Sequence, residues 1–408
     1  MRAKNDATSS SAVITHACKR VIADIAADQR CYPHLTDILG LCIEPLAHQR
    51  SLRVSGVGDG VAHHSATSDL RERLALDSVT QVCVVVVDGL GYDMMMARMG
   101  HAPLLRRYSG DIIEARTVIP STTAAAITAS TTGAMPGRTR MVGWSVYHRG
   151  HTGILLSFDG ITTPPQLWQP VPTWFERLRE DGISSAVISS PRFAQSGLTG
   201  AALRGARYIG AETLDERIDA TIVECVNRRT PLVYLYWSEL DHAGHRLGWQ
   251  HPVWTAELEA LDTALNRLCR ALPPHAALIL TADHGMVDTT PADCVDIARI
   301  PALGRHVTAL AGEARSLHIH TEEGMEAEVL SRWHEHLGDI GVVIPAADAH
   351  QLIGEGDGAS LIGAGLFFPH GSTVVGDSSR PDTMSLHLTG VHGGLTHAER
   401  AIPIVRLH

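Results

Sequence analysis

The chain has 408 residues, 44% hydrophobic and 19% charged, the balance of a folded protein rather than a disordered one. With 34 basic against 44 acidic residues its net charge is −10, which argues against a broad basic surface for nucleic acid. No apolar run approaches the roughly 20 residues that cross a bilayer, and the opening MRAKNDATSSSAVITHACKR lacks the apolar stretch of a secretory signal.

Seven cysteines (Cys18, Cys31, Cys42, Cys83, Cys225, Cys269 and Cys294) are dispersed with no C-x-x-C pair, as expected of reduced thiols in a cytoplasmic protein. Residues 1–75 mix short helical patterns with loops such as SGVGDGVAHHSATSD, and their structure is left unassigned; residues 1–10 read as a mobile tail. From residue 81, β-branched runs appear: QVCVVVV (81–87), DIIEARTVI (111–119), SSAVISS (184–190), PLVYLYW (231–237) and AALILTA (276–282). Apolar runs of this length, bounded by turn residues, predict strands buried on both faces. Helix-period stretches lie between them. PTWFERLREDG (172–182) has Pro near its start and Gly at its end, and HPVWTAELEALDTALNRLCRALPP (251–274) stops at two prolines, as helix termini prefer. The alternation predicts a doubly wound α/β fold with a mostly parallel sheet and helices on both faces. After residue 300 it weakens. Residues 301–385 are expected to form a small inserted α+β subdomain resembling a cap, with 386–408 rejoining the catalytic domain begun at 76–300.

In open parallel sheets, functional groups gather beyond the carboxyl ends of the strands. QVCVVVV ends at Asp88-Gly89, PLVYLYW is followed by SELDHAGH (238–245), and LILTA ends at Asp283-His284-Gly285; His392-Gly393-Gly394 adds an imidazole near the C-terminus. Carboxylates and imidazoles together suit borderline cations such as zinc, with two or three protein ligands per ion and open positions for substrate. Gly244, between Asp241 and His245, is read as permitting a tight backbone path that turns both side chains toward one ion. Asp283 and His284 can reach one ion or straddle two. A single strand-end Asp is as often a helix cap or turn former, but recurrence at successive strand ends argues for a metal cage. The stretch VIPSTTAAAITASTTGAMPG (118–137) puts hydroxyls at the start of an Ala-rich helical run. These serve either as caps or as nucleophiles on phosphate, where free N–H groups and the helix dipole stabilise the developing anion and a metal ion lowers the hydroxyl pKa. Ser121, Thr122 and Thr123 all qualify by chemistry.

The ordered set VVVVDGLGYDM, PSTTAAAITASTTGAMPG, YWSELDHAGHRLGW, TADHGM and VHGG resembles the alkaline phosphatase superfamily, and within it the nucleotide pyrophosphatase/phosphodiesterase-like branch, over about residues 80–300 and 388–408. The resemblance implies that Thr123 is the nucleophile, since it lies three residues after Pro120 and nine before Thr132, as the family's threonine does. It implies two Zn²⁺, one held by Asp241, His245 and His392, the other by Asp88, Asp283 and His284 with Thr123; Mn²⁺ in one site is compatible with the same ligands. His242 lies inside the motif without being a ligand. Two such ions against three carboxylates make a local positive well for a phosphate on an acidic protein. The implied activity is hydrolysis of phosphodiester or nucleotide pyrophosphate bonds in a small-molecule substrate, through a covalent threonine intermediate, with no membrane or nucleic-acid partner. Where characterised diesterases of the family place an asparagine that donates to a phosphate oxygen, this chain has Trp144. Its indole N–H could donate and its face could stack on a base, or it could be a packed core residue. The same cage also serves phosphomonoesterases and phosphonate hydrolases, the alternative reading, for which Arg138, Arg140 and Arg192 offer extra positive charge. A non-catalytic binding relative is a further class, signalled by lost ligands; here all six ligands and the hydroxyl are present.

Overall fold

The computed structural model describes residues 2–48, 64–227, 230–379 and 386–408. Seven strands build the main sheet: β1 (Gln81–Val87), β2 (Ile113–Arg116), β3 (Ser185–Ser189), β4 (Arg207–Gly210), β5 (Leu232–Trp237), β6 (Ala276–Ala282) and β7 (Ala401–Arg406), in the order β2-β7-β6-β1-β5-β3-β4. The pairs β6–β1, β1–β5, β5–β3 and β3–β4 are parallel, and β7 runs antiparallel between β6 and β2. Every residue of β1 and of β6 is buried. Because successive side chains point to opposite faces, both faces of the sheet must be covered. Part of that cover is the helix Pro252–Ala271, whose Trp254, Leu258, Leu261, Leu265 and Leu268 form one buried stripe at helical spacing. The helices Leu35–His48 and Thr123–Thr132 share the same core. The fold is the mostly parallel α/β architecture that the alternating pattern implies.

The register of the central strands positions the site. Val87 lies level with Trp237 on one side and Ala282 on the other, so β1, β5 and β6 end together. The next residues in chain order are Asp88, Ser238 and Asp283. Adjacent strands lie about 4.8 Å apart, so two carboxylates emerge side by side without further arrangement.

A second, antiparallel sheet has six strands in the order Gly341–Pro345, Gly365–Pro369, Ser316–Thr321, Val307–Glu313, Ser145–His148, His151–Ile154. Its last two strands come from the middle of the chain, so the strands at 307–369 are completed by a hairpin at 145–154. Pairing of Gly312 with Ser145 sets Glu313 opposite Trp144. The helix Glu326–Leu337 packs Val329, Leu330, Trp333 and Leu337 into a core with Phe367.

The N-terminal segment is helical over Arg2–Cys31, Leu35–His48 and His64–Leu74; the tail expected at 1–10 is instead the start of the first of these helices. Its anchor lies further along. Cys18, Ile22 and Ile25 make a buried stripe against Val342, Ile344 and Ala349 of the second sheet's side, and Asp28 pairs with Arg116 at 2.7 Å and Arg400 at 2.9 Å. A polar opening sequence hides a helix. Most of the glycine-rich loop read at 55–69 lies outside the described residues. No helix among the described residues is long and apolar enough to cross a membrane.

Candidate metal centre

The ends of β1, β5 and β6 deliver the donors. Asp88 and Asp283 follow their strands directly, and Asp241 and His245 lie four residues apart on the helix Glu239–Leu247 that follows β5. That spacing puts both side chains on one helical face, with His245 Nε2 3.2 Å from Asp241 Oδ2. The backbone path attributed to Gly244 is therefore an ordinary helix turn. Gly244 is small for another reason: a Cβ there would sit 2.5 Å from Met286 Sδ, and one on Gly390 would sit 2.5 Å from the Gly244 carbonyl. This close approach lets the Gly390 carbonyl reach His245. Gly89 does need its conformation, with φ +70 and Asp241 Cβ 3.1 Å from where its own Cβ would be. Its N–H donates to Asp283 Oδ1 at 3.1 Å.

All three imidazoles are oriented in the same way. Nδ1 of His245 lies 2.8 Å from the Gly390 carbonyl, Nδ1 of His284 2.9 Å from the Gly285 carbonyl, and Nδ1 of His392 3.0 Å from the Ser121 carbonyl. A carbonyl can only accept, so each Nδ1 carries a proton and each Nε2 faces inward. Backbone carbonyls fix metal-binding histidines in this manner. The rings of His284 and His392 stack with centroids 3.7 Å apart.

Two donor groups result. Asp88, Asp283 and His284 form one, and Asp241, His284 and His392 the other, the ligand atoms of each lying within 4.8 Å of one another. His284 belongs to both. His245 stands outside the tighter group but against Asp241. Thr123 is the first residue of the helix Thr123–Thr132, and its hydroxyl lies 3.1 Å from His284 Nε2 and donates to Asp88 Oδ1 at 3.4 Å. No side chain caps this helix. Ser121 instead donates to the Gly394 carbonyl at 2.9 Å, so the first N–H groups of the helix remain available.

The charges leave the donor set with unmet demand. Burial, with Asp241 and Asp283 alongside, pushes Asp88 well above the ordinary carboxylate range, and burial raises Asp283 too. Burial alone would raise Asp241, yet the His245, His392 and His284 imidazoles outweigh it and hold its pKa low. Burial, with its two neighbouring imidazoles, pushes His392 well below 6.5. Asp241 Oδ1 and Asp283 Oδ2 are buried with no hydrogen-bond partner among the described residues. Buried carboxylate oxygens left unpaired carry a large desolvation cost. Divalent cations fit this set of hard oxygen and imidazole donors.

Some of the surroundings escaped sequence reasoning. Tyr236 donates a short hydrogen bond to Asp88 Oδ2. Period-two alternation along β5 could have put Tyr236 on the site's side, but nothing local names its partner. Glu313, from the second sheet, brings a carboxylate to 4.0 Å from His392 Nδ1; burial pushes it up to about 8. No local pattern marks it, because only the pairing with Ser145 carries it there. A cavity of about 480 Å³ opens beside the donors, with Trp144, Leu156, Phe193, Leu198 and Tyr208 among its walls. Trp144 is half-buried and lines that cavity next to Glu313 and Thr122 rather than filling a core. Of the three arginines, Arg140 lies over the Trp168 ring, Arg138 is exposed on the short helix Pro136–Thr139, and Arg192 touches His242 in the cavity wall.

The mostly parallel α/β sheet is the fold of the alkaline phosphatase superfamily. Within it the chain belongs to the type I phosphodiesterase/nucleotide pyrophosphatase family, whose model matches residues 82–351. Among solved structures it is similar to murine ectonucleotide pyrophosphatase/phosphodiesterase 5, with 17% identity and a TM-score of 0.63 over 79% of this chain and 87% of that one. An inactive variant of the murine protein in complex with AMP matches at 17% identity and a TM-score of 0.62 over 79% and 87%. Phosphonoacetate hydrolase from Sinorhizobium meliloti 1021, in complex with phosphonoformate, matches at 18% identity and a TM-score of 0.64 over 80% and 90%.

Proposed function

We propose that the chain hydrolyses phosphodiester or nucleotide pyrophosphate bonds in small molecules, with Thr123 as nucleophile beside a two-zinc centre. One observation carries the reading: the Thr123 hydroxyl lies against both Asp88 and His284 at an uncapped helix N-terminus. Asp241, His245 and His392 would hold one cation, and Asp88, Asp283 and His284 the other, with manganese acceptable in one of them. When bound, the cations supply positive charge that lowers the hydroxyl pKa and offsets the charge of the phosphate. Thr123 Oγ1 would give its proton to solvent in the cavity and form a bond to phosphorus as the bond to the leaving oxygen breaks, that oxygen keeping the bonding pair and taking up a proton from solvent. Free N–H groups at the start of its helix face the charge that develops on the phosphoryl oxygens. Water attacks the phosphothreonine from the opposite side and returns Thr123. Trp144, in place of an asparagine donor, is assigned to the substrate through its indole N–H or its ring face.

Phosphomonoester or phosphonate hydrolysis at the same cage is the second reading, favoured by the exposed Arg192 guanidinium that touches His242, a residue of the cavity wall. Free cysteines throughout support a reducing compartment such as the cytoplasm. In domain terms we assign 76–300 and 386–408 to catalysis and 301–385 to a cap that closes over it with the 145–154 hairpin.

Zinc-loaded protein is tested on bis-p-nitrophenyl phosphate against p-nitrophenyl phosphate, with Thr123→Ala as control. A diester preference abolished in the variant is the expected result. A monoester preference keeps the cage and overturns the substrate class; full activity in Thr123→Ala removes the nucleophile. Protein that holds no zinc and gains no activity from it is a binding relative rather than an enzyme.

A further inference from the structure

Two stretches of chain meet at the donor groups. Residues 117–123 run from the end of β2 to Thr123, and residues 392–400 run from His392 to the start of β7. Both leave the main sheet at one corner, because β2 and β7 are antiparallel and Arg116 pairs with Ala401. At the site they are joined through Ser121, whose carbonyl accepts from His392 Nδ1 at 3.0 Å and whose hydroxyl donates to the Gly394 carbonyl at 2.9 Å. At the sheet corner they are joined by a residue that belongs to neither, Asp28.

Asp28 lies in the last turn of the helix Arg2–Cys31. Its Oδ2 is 2.7 Å from Arg116 Nε and 2.9 Å from Arg400 Nη1, and Arg116 Nη2 donates to its Oδ1 at 2.8 Å. Both arginines are buried. Two guanidiniums held against one oxygen repel each other unless the carboxylate stands between them. Arg116 has a second counter-charge in Glu114 at 2.6 Å; among the described residues Asp28 is the one carboxylate paired with Arg400. Arg400 passes the constraint on, since its Nε donates to the Leu395 carbonyl at 3.0 Å, inside the stretch that begins at His392. The chain after the helix closes on the same corner. The Arg116 guanidinium lies 3.7 Å from the centroid of the Tyr32 ring, and the Pro33 carbonyl accepts the Arg116 N–H at 2.9 Å. The helix is fixed from its other side by Cys18, Ile22 and Ile25 against the second sheet's core. All of this comes from a segment outside residues 82–351, the part that the family model matches.

We propose that Asp28 is a positioning residue for the metal centre: it sets the spacing between the stretch that carries Thr123 and the stretch that carries His392. A carboxylate on the N-terminal helix thereby tunes the cation site of Asp241, His245 and His392, acting through Arg116 and Arg400. Its consequence for metal binding rests on the two-cation reading of the site; the clasp between the two stretches does not.

Backbone hydrogen exchange is measured first, on metal-free full-length wild type, Asp28→Asn and Asp28→Glu. Asp28→Asn should speed exchange over 117–123 and 392–396 together by about tenfold and leave β1 and β6 unchanged, since local opening is separable from global unfolding. Asp28→Glu keeps the charge that both arginines need, so it covers the case in which Asp28→Asn does not fold. It should retain the wild-type urea midpoint and still loosen the same two stretches, because the longer side chain alters the spacing. Calorimetric zinc titration follows. In both variants one of the two zinc ions should bind about tenfold more weakly and the other as in wild type, the lower end of what outer partners of metal ligands contribute. Wild-type exchange and zinc binding in Asp28→Glu, or loosening spread evenly over the fold, would make Asp28 a purely structural charge and overturns the proposal. If the wild type binds no zinc while the two stretches loosen together, the clasp stands and the two-cation reading falls. If zinc binds and neither stretch changes in the variants, the reading stands and the clasp falls.

Discussion

Two buried charge centres share the stretch from His392 to Glu399, which gives one residue to each, and they are built in opposite ways. At Arg315–Glu399 both side chains are fully buried and every carboxylate oxygen is used. Oε1 accepts from Arg315 Nε and the Gly394 N–H, each at 2.9 Å, and Oε2 from Arg315 Nη2 at 2.7 Å and the Thr396 hydroxyl at 2.6 Å. At the donor groups three buried carboxylates face three imidazoles that all turn Nε2 inward, and two oxygens have no partner among the described residues. The first centre is complete and ties the loop carrying His392 to the second sheet. The second leaves buried oxygens unpaired among the described residues. Burial of charge marks both; unmet demand separates the functional one from the structural one.

The largest effect should come from Asp283→Asn. The amide oxygen can still accept the Gly89 N–H, and the new N–H₂ faces His284 Nε2, 3.5 Å from the present Oδ2. Zinc binding should collapse and diesterase turnover fall roughly a thousandfold. The metal-free variant should nevertheless be at least as stable as metal-free wild type in urea, because a crowded charge has gone. A variant both inactive and clearly less stable would mean that Asp283 is structural, like Glu399. Zinc itself should stabilise the wild type by about 4 kcal/mol at a thousandfold excess over its Kd, and the variant hardly at all.

Arg315→Leu should behave in the opposite sense, costing about 3–5 kcal/mol by stranding Glu399. Pairing it with Glu399→Leu should restore most of that in urea unfolding. If the double variant is no better than the single one, the side-chain pair is not what holds the loop. The pair also carries a pH signature. Burial alone would raise Glu399, but Arg315 outweighs it and holds its folded pKa below the usual carboxylate range. Its contribution is therefore present above the unfolded pKa of about 4.3 and is lost as pH falls through the lower folded value. Acid unfolding should steepen below about pH 4 in wild type and flatten in Glu399→Gln.

The difference between the centres also explains what could be read from the chain. Strands buried on both faces announce themselves as unbroken apolar runs, so β1, β3, β5 and β6 were legible, as were the Asp and His residues at their ends. Thr123 stood out among three hydroxyls only through family spacing, since cap and nucleophile look alike locally. Glu313, Tyr236 and the Arg315–Glu399 pair were not legible. Each depends on contacts between elements far apart in the chain, and a lone Glu or Arg carries no periodicity. Gly244 is legible only as a small residue: the fold alone shows that Met286 and Gly390 press against it.

The smallest effect separates the centres most cleanly. Burial would lower His245, but Asp241 outweighs it and raises its pKa to about 9. In the metal-free protein the protonated ring therefore pairs with Asp241, a stabilisation fully present below the unfolded value of about 6.5 and lost as pH rises through about 9. A cation needs the neutral ring, so zinc must displace that proton. Apparent zinc affinity should then climb by up to about tenfold per pH unit between roughly 6.5 and 9 from this residue alone. In His245→Asn the slope should drop by about one proton per zinc. Calorimetry in buffers of different ionisation enthalpy counts the protons released. An unchanged count would mean that Asp241 and His245 are paired to each other for structure, as Glu399 is to Arg315, and that the second cation is held elsewhere.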